Sequence, residues 1–126
     1  RVLRTIAETE PVGPKKMFDA LVIAPCTGNT MAKLAVGIVD TPVTMAAKSH
    51  LRNGSPLIIA LSTNDGLAGA AKNIGALLNY RYVYFVPFAQ DDPAAKPRSL
   101  SANFSLIPEA IASAMEEKQL QPVINL

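Results

Sequence analysis

The sequence has few of the residues that stabilise secreted or membrane-spanning proteins. Cys26 is the only cysteine, so the chain has no partner for an internal disulfide and no multi-cysteine zinc site, which fits a reducing cytoplasm. Trp is absent and aromatic residues make up 6% of the chain, so Ala, Val, Ile and Leu have to build the core. No apolar run approaches the roughly 20 residues that cross a bilayer. We therefore predict a cytoplasmic protein without a membrane partner.

Charge is also sparse, and no stretch is dominated by one sign. Charged residues make up 17% of the chain and the formal net charge is +2, with Lys and Arg interspersed. A block of cations that would follow a phosphate backbone is missing, so nucleic acid is not an expected partner. The apolar fraction of 49% is too high for a disordered chain. Residues 1–126 are therefore predicted to form a single domain with a packed core.

Short apolar runs alternate with helical patterns along the chain. Residues 20–24, 56–61 and 82–86 are continuously apolar, as strands buried on both faces are. Residues 42–46 are a less clear fourth candidate. Residues 2–7 also read as a strand, followed by turn-forming residues.

Three segments between the strands have the apolar spacing of amphipathic helices, namely residues 30–39, 66–79 and 106–118. Their apolar faces are predicted to include Ile38, Leu67, Leu78 and Met115. Strands separated by helices predict a three-layer α/β fold, Rossmann-like or flavodoxin-like, with a parallel sheet covered on both faces. Because the chain opens within an element, we expect the N-terminal part of this fold to be missing. Residues 91–101 are predicted to be a long loop near the open end of the sheet.

Ligands of an open parallel sheet bind beyond the carboxyl ends of the strands, and four polar segments are predicted to lie there, at residues 24–30, 46–54, 62–66 and 85–93. In residues 24–30, Gly28 permits close backbone approach and Asn29 or Thr30 can cap a helix. This segment is either a plain turn or a cradle for an anion or a flavin edge. Residues 62–66 include a capping Asn64 or Asp65, and residues 85–93 end in turn-forming acids. A cleft is predicted, but no reaction follows from these residues alone.

Two single residues have competing interpretations. His50 lies between Lys48 and Arg52, and a lone histidine between cations is more often a solvated surface residue than a functional one. Cys26 is interpreted as a buried packing residue rather than a nucleophile, because no base is evident near it in the sequence.

Residues 23–35 resemble the Pro-Ala-Ser-Ala-Asn-Thr-x-Ala-Lys motif of the flavoprotein superfamily that contains FMN-dependent cysteine decarboxylases. Within that superfamily, further segments resemble the family of dipicolinate synthase B subunits: residues 40–43, 46–48, 51–54, 62–65, 85–93 and 118–124. The resemblance covers nearly the whole chain. It also implies that an N-terminal segment of the family, with a Gly/Ser-rich first βα turn, lies outside this sequence.

The resemblance implies a role in oxidising a dihydro- or tetrahydrodipicolinate precursor to dipicolinate for the bacterial spore. It implies an NAD(P)-binding A subunit as partner, FMN as cofactor, a homo-oligomer, and the cytoplasm of the mother cell. An autonomous FMN-dependent enzyme such as a decarboxylase, or a non-catalytic scaffold of the A subunit, are the alternatives. Carried over residue by residue, the candidates are Asn29 and Lys48 for catalysis, Lys48, Gln90 and Asp91 for substrate, and Cys26, Thr27, Gly28, Asn29, Thr30, Ser62, Thr63 and Asn64 for cofactor. No metal site is predicted.

Lys48 is a candidate because the sequence differs from that of the decarboxylases at this position. Those enzymes have a Pro-Ala-Met-Asn motif after their third strand, and residues 45–48, Met-Ala-Ala-Lys, are interpreted as its counterpart here. A cation in place of an amide suits a dicarboxylate substrate, because an ammonium group can neutralise a carboxylate.

Overall fold

The fold is organised around strand β2 (Leu57–Thr63), in a computed structural model that describes residues 20–125. The side chains of residues 57–61 are all 0% exposed. Since successive side chains of a strand point to opposite faces, five buried residues in a row mean that both faces of β2 are covered. This burial on both faces explains the continuously apolar run in the sequence.

The three predicted strands are confirmed as parallel neighbours. β1 (Leu21–Cys26) and β3 (Val83–Phe85) pair with β2 on either side, with Leu57 opposite both Leu21 and Val83. The last two residues of β2 pair antiparallel with β5 (Leu100–Ala102). β5 in turn pairs antiparallel with β4 (Phe88–Gln90). The sheet is therefore mixed, with a parallel centre and a short antiparallel extension at the carboxyl end of β2.

In the part of the chain that the structure describes, four α-helices flank the sheet: α1 (Gly28–Val36), α2 (Pro42–Arg52), α3 (Ala71–Leu78) and α4 (Ile107–Met115). α1 packs against α2 and α3, α2 against β1 and β2, and α4 against β2 and β3. A short 3-10 helix (Phe104–Leu106) precedes α4. This arrangement confirms the flavodoxin-like α/β class. Within residues 20–125, none of the helices is both long and apolar enough to cross a membrane.

The fourth predicted strand is wrong, because residues 42–46 begin helix α2. The Thr41 hydroxyl accepts a hydrogen bond from Thr44 N at 3.1 Å, and the Thr44 hydroxyl accepts one from Thr41 N at 3.0 Å. Pro42 occupies the first turn, where its missing N–H costs nothing. The reciprocal caps and the proline start a helix despite the apolar, partly β-branched run.

Helix ends also differ from the prediction. α1 ends at Val36 because Gly37 adopts a left-handed conformation with φ 79°. α3 starts at Ala71 rather than residue 66, because Asp65 O accepts hydrogen bonds from Ala68 N and Ala70 N in the turns before it. α4 ends three residues early, and the predicted loop at 91–101 already contains the start of β5.

Four side chains predicted to be buried are exposed instead, because they lie beside or beyond these shortened helix ends. Their exposed fractions are 47% for Ile38, 53% for Leu67, 45% for Leu78 and 47% for Met115. The predicted strand at residues 2–7 and the turn after it lie outside the described residues.

Candidate functional site

The carboxyl end of β1 leads directly into a capped helix start. Thr27 is the N-cap of α1, and its hydroxyl oxygen accepts a hydrogen bond from Thr30 N at 3.3 Å. The predicted βα turn is confirmed, but Thr27 is the capping residue, not Asn29 or Thr30. Asn29 is left with an exposed side chain in the first turn of the helix.

Gly28 meets the end of β2 at close range. A Cβ atom at Gly28 would lie 2.9 Å from Thr63 Oγ1 and 3.3 Å from Asp65 Oδ1. The Thr63 hydroxyl donates a hydrogen bond of 2.5 Å to the Asp65 carboxylate. Close approach is therefore the reason for a glycine here, since a larger residue would have to displace a hydrogen-bonded pair.

The connection between β4 and β5 closes onto the same edge of the sheet. Ser99 is 2% exposed, and its hydroxyl lies 3.3 Å from the carbonyl oxygen of Thr63. The pKa of Asp91 lies below its usual value, and a hydrogen bond with the Ser99 side chain is the largest cause. A hydroxyl has a single proton, so Ser99 can donate to only one of these acceptors at a time.

These contacts define the strand-end cluster: Thr27, Gly28, Thr63, Asp65 and Ser99. Sequence reasoning found the first three and placed Gln90 and Asp91 near them. Asp65 was interpreted only as a cap, and Ser99 was one residue of a predicted loop. The Ser-Thr-Asn-Asp run at the end of β2 was a signal for Asp65, whereas nothing local distinguished Ser99.

Cys26 lies beneath the cluster, with its side chain 0% exposed. Burial raises the pKa of the Cys26 thiol to about 12, so the thiol is protonated near neutral pH. The interpretation as a packing residue is confirmed, since nucleophilic attack needs the thiolate. Its predicted place beside a cofactor stays a prediction.

The chemistry of the cluster favours a neutral polar ligand over a bare phosphate. Thr27, Asn29 and Asn64 are exposed and offer hydroxyl or amide groups, and the start of α1 adds partial positive charge. The Asp65 carboxylate next to Gly28 opposes an anion at that point. The set of donors and acceptors suits the edge of a ring system that both accepts and donates hydrogen bonds.

The structure does not bring Lys48 to the strand-end cluster. Lys48 is exposed on α2 and does not follow a strand, so the interpretation of residues 45–48 as the counterpart of the decarboxylase motif is wrong. Lys48 and Arg52 line a groove of about 620 Å³ that otherwise consists mainly of residues 34–39, Leu51 and Tyr80. We call it the α1–α2 groove. The predicted contact of Lys48 with a substrate stays a prediction.

His50 is buried, and the interpretation as a solvated residue is wrong. Its side chain is 1% exposed, and neither imidazole nitrogen has a hydrogen-bond partner among residues 20–125. Burial lowers the pKa of His50 from 6.5, because the charged imidazolium would lose its hydration. His50 is buried because it lies on the inward face of α2. The sequence analysis did not predict this helix, so it did not predict that face.

Comparisons with known proteins agree with this geometry. The profile of the Flavoprotein family matches residues 3–107. The B subunit of dipicolinate synthase from Bacillus subtilis (strain 168) is 45% identical over 120 residues, which are 95% of this chain and 60% of that protein. The chain thus spans less than two thirds of that relative.

Two solved structures are similar as well. The crystal structure of the dipicolinate synthase B subunit from Bacillus halodurans C has a TM-score of 0.96 and 43% identity, and the match covers 100% of this chain and 65% of that one. The FMN-dependent cysteine decarboxylase SpaF has a TM-score of 0.58 and 26% identity, over 82% of this chain and 55% of that one. Because the family profile matches most of the chain and the fold is flavodoxin-like, the chain belongs to the Flavoprotein family.

Proposed function

We propose that this chain acts as the B subunit of a dipicolinate synthase in the cytoplasm of the mother cell of a sporulating bacterium. The observation that carries the proposal is the 45% identity to the Bacillus subtilis protein over 95% of the chain. In the proposed reaction, a dihydrodipicolinate-type ring loses a hydride and a proton and becomes the aromatic pyridine-2,6-dicarboxylate. NAD(P)⁺ on an A subunit takes the hydride.

FMN is the proposed cofactor of this chain, supported by the family and by the donors of the strand-end cluster. Thr27, Asn29, Thr30 and Asn64 would hold the flavin by hydrogen bonds, with Gly28 allowing close backbone approach. Asp65 favours a neutral ring edge at this point, so the flavin phosphate would lie elsewhere. When bound, the flavin would supply reversible hydride transfer.

Gln90 and Asp91 are the proposed substrate contacts at the strand ends. The Gln90 amide nitrogen donates to Pro97 O at 2.8 Å, which leaves its oxygen available as an acceptor. Asp91 is ionised near neutral pH, as an ordinary aspartate is, and the Ser99 hydroxyl lowers its pKa further. An ionised carboxylate would repel the carboxylates of the substrate and instead suits the ring N–H of a reduced precursor.

Kinetics of the separate and mixed subunits test the proposal. We expect formation of reduced nicotinamide cofactor from NAD(P)⁺ only when this chain and an A subunit are mixed with the precursor. If the A subunit alone matches the mixture, this chain is a scaffold and the catalytic proposal fails.

An autonomous FMN-dependent enzyme is the second candidate, favoured by the similarity to the SpaF structure. Yellow flavin retained on purification, together with decarboxylation of a cysteine-containing peptide without an A subunit, would support it. Homo-oligomerisation also stays a prediction, which the mass of the purified protein in solution tests.

A further inference from the structure

The substrate of the proposed function carries two carboxylates, but the strand ends carry Asp65 and Asp91. An anion that leaves water for this surface needs a fixed cation as compensation. Which residue supplies this cation rests on the proposed function and on the contacts around the strand ends.

Several cations of the described residues take part in contacts away from the strand ends, whereas two lie in a connection that reaches them. Lys33 forms an ion pair with Asp40 at 3.1 Å, and Arg81 stacks over the ring of Tyr82 at 4.7 Å. Lys48 and Arg52 belong to the α1–α2 groove. Lys96 and Arg98 lie in the connection 91–99, which bonds to the strand-end cluster through Ser99 and to residue 67 through the carbonyl oxygen of Arg98.

Lys96 has an anchored backbone in this connection. Its N–H donates to Asp92 O at 2.7 Å, and its carbonyl oxygen accepts from Ser99 N at 3.1 Å. On its C-terminal side, Pro97 O accepts the hydrogen bond from the Gln90 side chain. Pro93 and Pro97 further restrict the chain, because their φ angles are fixed. A residue held on both sides can place its side chain reproducibly.

The backbone hydrogen bond from Lys96 to Asp92 places Lys96 close to Asp91 within this connection. The positive charge of Lys96 contributes to the lowered pKa of Asp91, after the larger effect of the Ser99 hydroxyl. No ion pair joins the two side chains, since Lys33–Asp40 is the only one within residues 20–125. Lys96 is exposed and therefore accessible to a ligand.

We infer that Lys96 binds one carboxylate of the substrate at the strand ends, with Asp91 beside it to accept the ring N–H. A cation and an anion side by side match a reduced ring that has a carboxylate next to its nitrogen. The pair would thereby select a pyridine-type 2-carboxylate in a fixed orientation. The role that the sequence suggested for Lys48 is assigned to Lys96 instead.

Kinetics of Lys96→Met in the mixture with the A subunit test this inference, because methionine keeps the stem and deletes the charge. We expect kcat/KM for the precursor to fall about tenfold or more, mainly through KM, the size of a lost hydrogen bond to a charged group. Lys96→Arg should recover part of the loss. Lys48→Met is the competing variant: if it causes the larger loss and Lys96→Met has no effect, the inference is overturned.

Product inhibition gives a second readout that a merely structural role would not change. For the wild-type mixture, pyridine-2,6-dicarboxylate should inhibit more strongly than pyridine-3-carboxylate, which lacks a carboxylate next to the ring nitrogen. Lys96→Met should reduce this ratio about tenfold. A ratio unchanged in a folded variant overturns the inference. An inactive wild-type mixture would instead overturn the proposed function, and the two failures are therefore distinguishable.

Discussion

The strand-end cluster and His50 of helix α2 differ in whether their polar side chains have hydrogen-bond partners. In the cluster, the hydroxyls of Thr27, Thr63 and Ser99 all have hydrogen-bond partners. On α2, His50 is buried with neither nitrogen paired within residues 20–125. An unpaired buried polar group costs free energy, whereas a paired one is close to neutral. The hydroxyls of the cluster are thus each held by a hydrogen bond, whereas α2 carries one buried side chain without a partner in the described part of the chain.

The two regions also differ in how their surfaces are made. The cluster exposes polar side chains around a glycine, while the α1–α2 groove exposes apolar ones, with Val36 69% and Tyr80 39% exposed. Lys48 and its neighbours therefore belong to a surface separate from the strand ends. Substitutions in the two regions should differ in their effects on stability and binding.

Gly66→Ala should destabilise the protein most, because it disturbs the packing of Leu100 of β5 against Gly66. A Cβ atom at Gly66 would lie 2.6 Å from both Cγ and Cδ1 and 2.8 Å from Cβ of Leu100. Leu100 cannot avoid it by rotating its side chain alone. We expect the free energy of unfolding in urea to fall by about 1–3 kcal/mol.

Gly75→Ala is the matched control, since nothing lies within 4 Å of its Cβ position in helix α3. This variant should be more stable than the wild type by about 0.5–1 kcal/mol, because alanine favours the helix. Equal stabilities of the two variants would show that β5 does not pack on Gly66 as described.

His50→Leu should stabilise the protein by about 1 kcal/mol near neutral pH, because it removes the unpaired nitrogens from α2. It should also remove a pH dependence. Since burial lowers the pKa of His50 below 6.5 in the folded state, the unfolded chain binds the proton at higher pH than the folded one does. Protonation of His50 therefore leaves the free energy of unfolding unchanged well above pH 6.5 and lowers it as the pH drops through that value.

Urea unfolding of both proteins between about pH 8 and pH 5.5 measures this difference. The chain has a single histidine, so no other imidazole contributes. If the wild type and His50→Leu lose stability in parallel over this range, His50 is solvated or paired in the folded protein.

Asn29→Ala should weaken flavin binding without unfolding the protein, if the cluster holds the cofactor as proposed. Asn29 is exposed in the first turn of α1, and a lost neutral hydrogen bond corresponds to about 1 kcal/mol, or about fivefold in Kd for FMN. Asn79→Ala is the control, because the Asn79 side chain donates a hydrogen bond to Gly75 O at the end of α3, away from the strand-end cluster. Fluorescence titration with FMN measures both, and equal affinities would remove Asn29 from the cofactor site.

The smallest expected effect is on Cys26, which should barely react in the folded protein. With a pKa of about 12 instead of 9.0, the thiolate population near pH 8 is lower by about a thousandfold. Iodoacetamide should therefore modify Cys26 only after urea has unfolded the chain, as followed by mass spectrometry. Modification of the folded protein at the rate of the unfolded chain would contradict this burial.

Local patterns in the sequence predicted the centre of the fold. The runs that became β1, β2 and β3 are continuously apolar, which predicted three strands, although burial on both faces holds for β2 and not for the partly exposed β1. The turn at residues 27–30 was also predicted, from Gly28 and the polar residues after it, although the structure makes Thr27 the cap instead of Asn29 or Thr30. The family resemblance rested on the same short segments, and the comparisons confirm it.

By itself, therefore, the sequence determined the parallel strands, the capped turn after β1 and the family, because each depends on residues adjacent in the chain. Only the tertiary structure decided the rest. Thr63 pairs with Leu100 across 37 positions, and the burial of His50 depends on which face of α2 packs against the sheet. It likewise placed Lys48 in the groove and the connection that carries Lys96 at the strand ends. Contacts between distant segments leave no local signal, because their free energy is gained only when the fold brings those segments together.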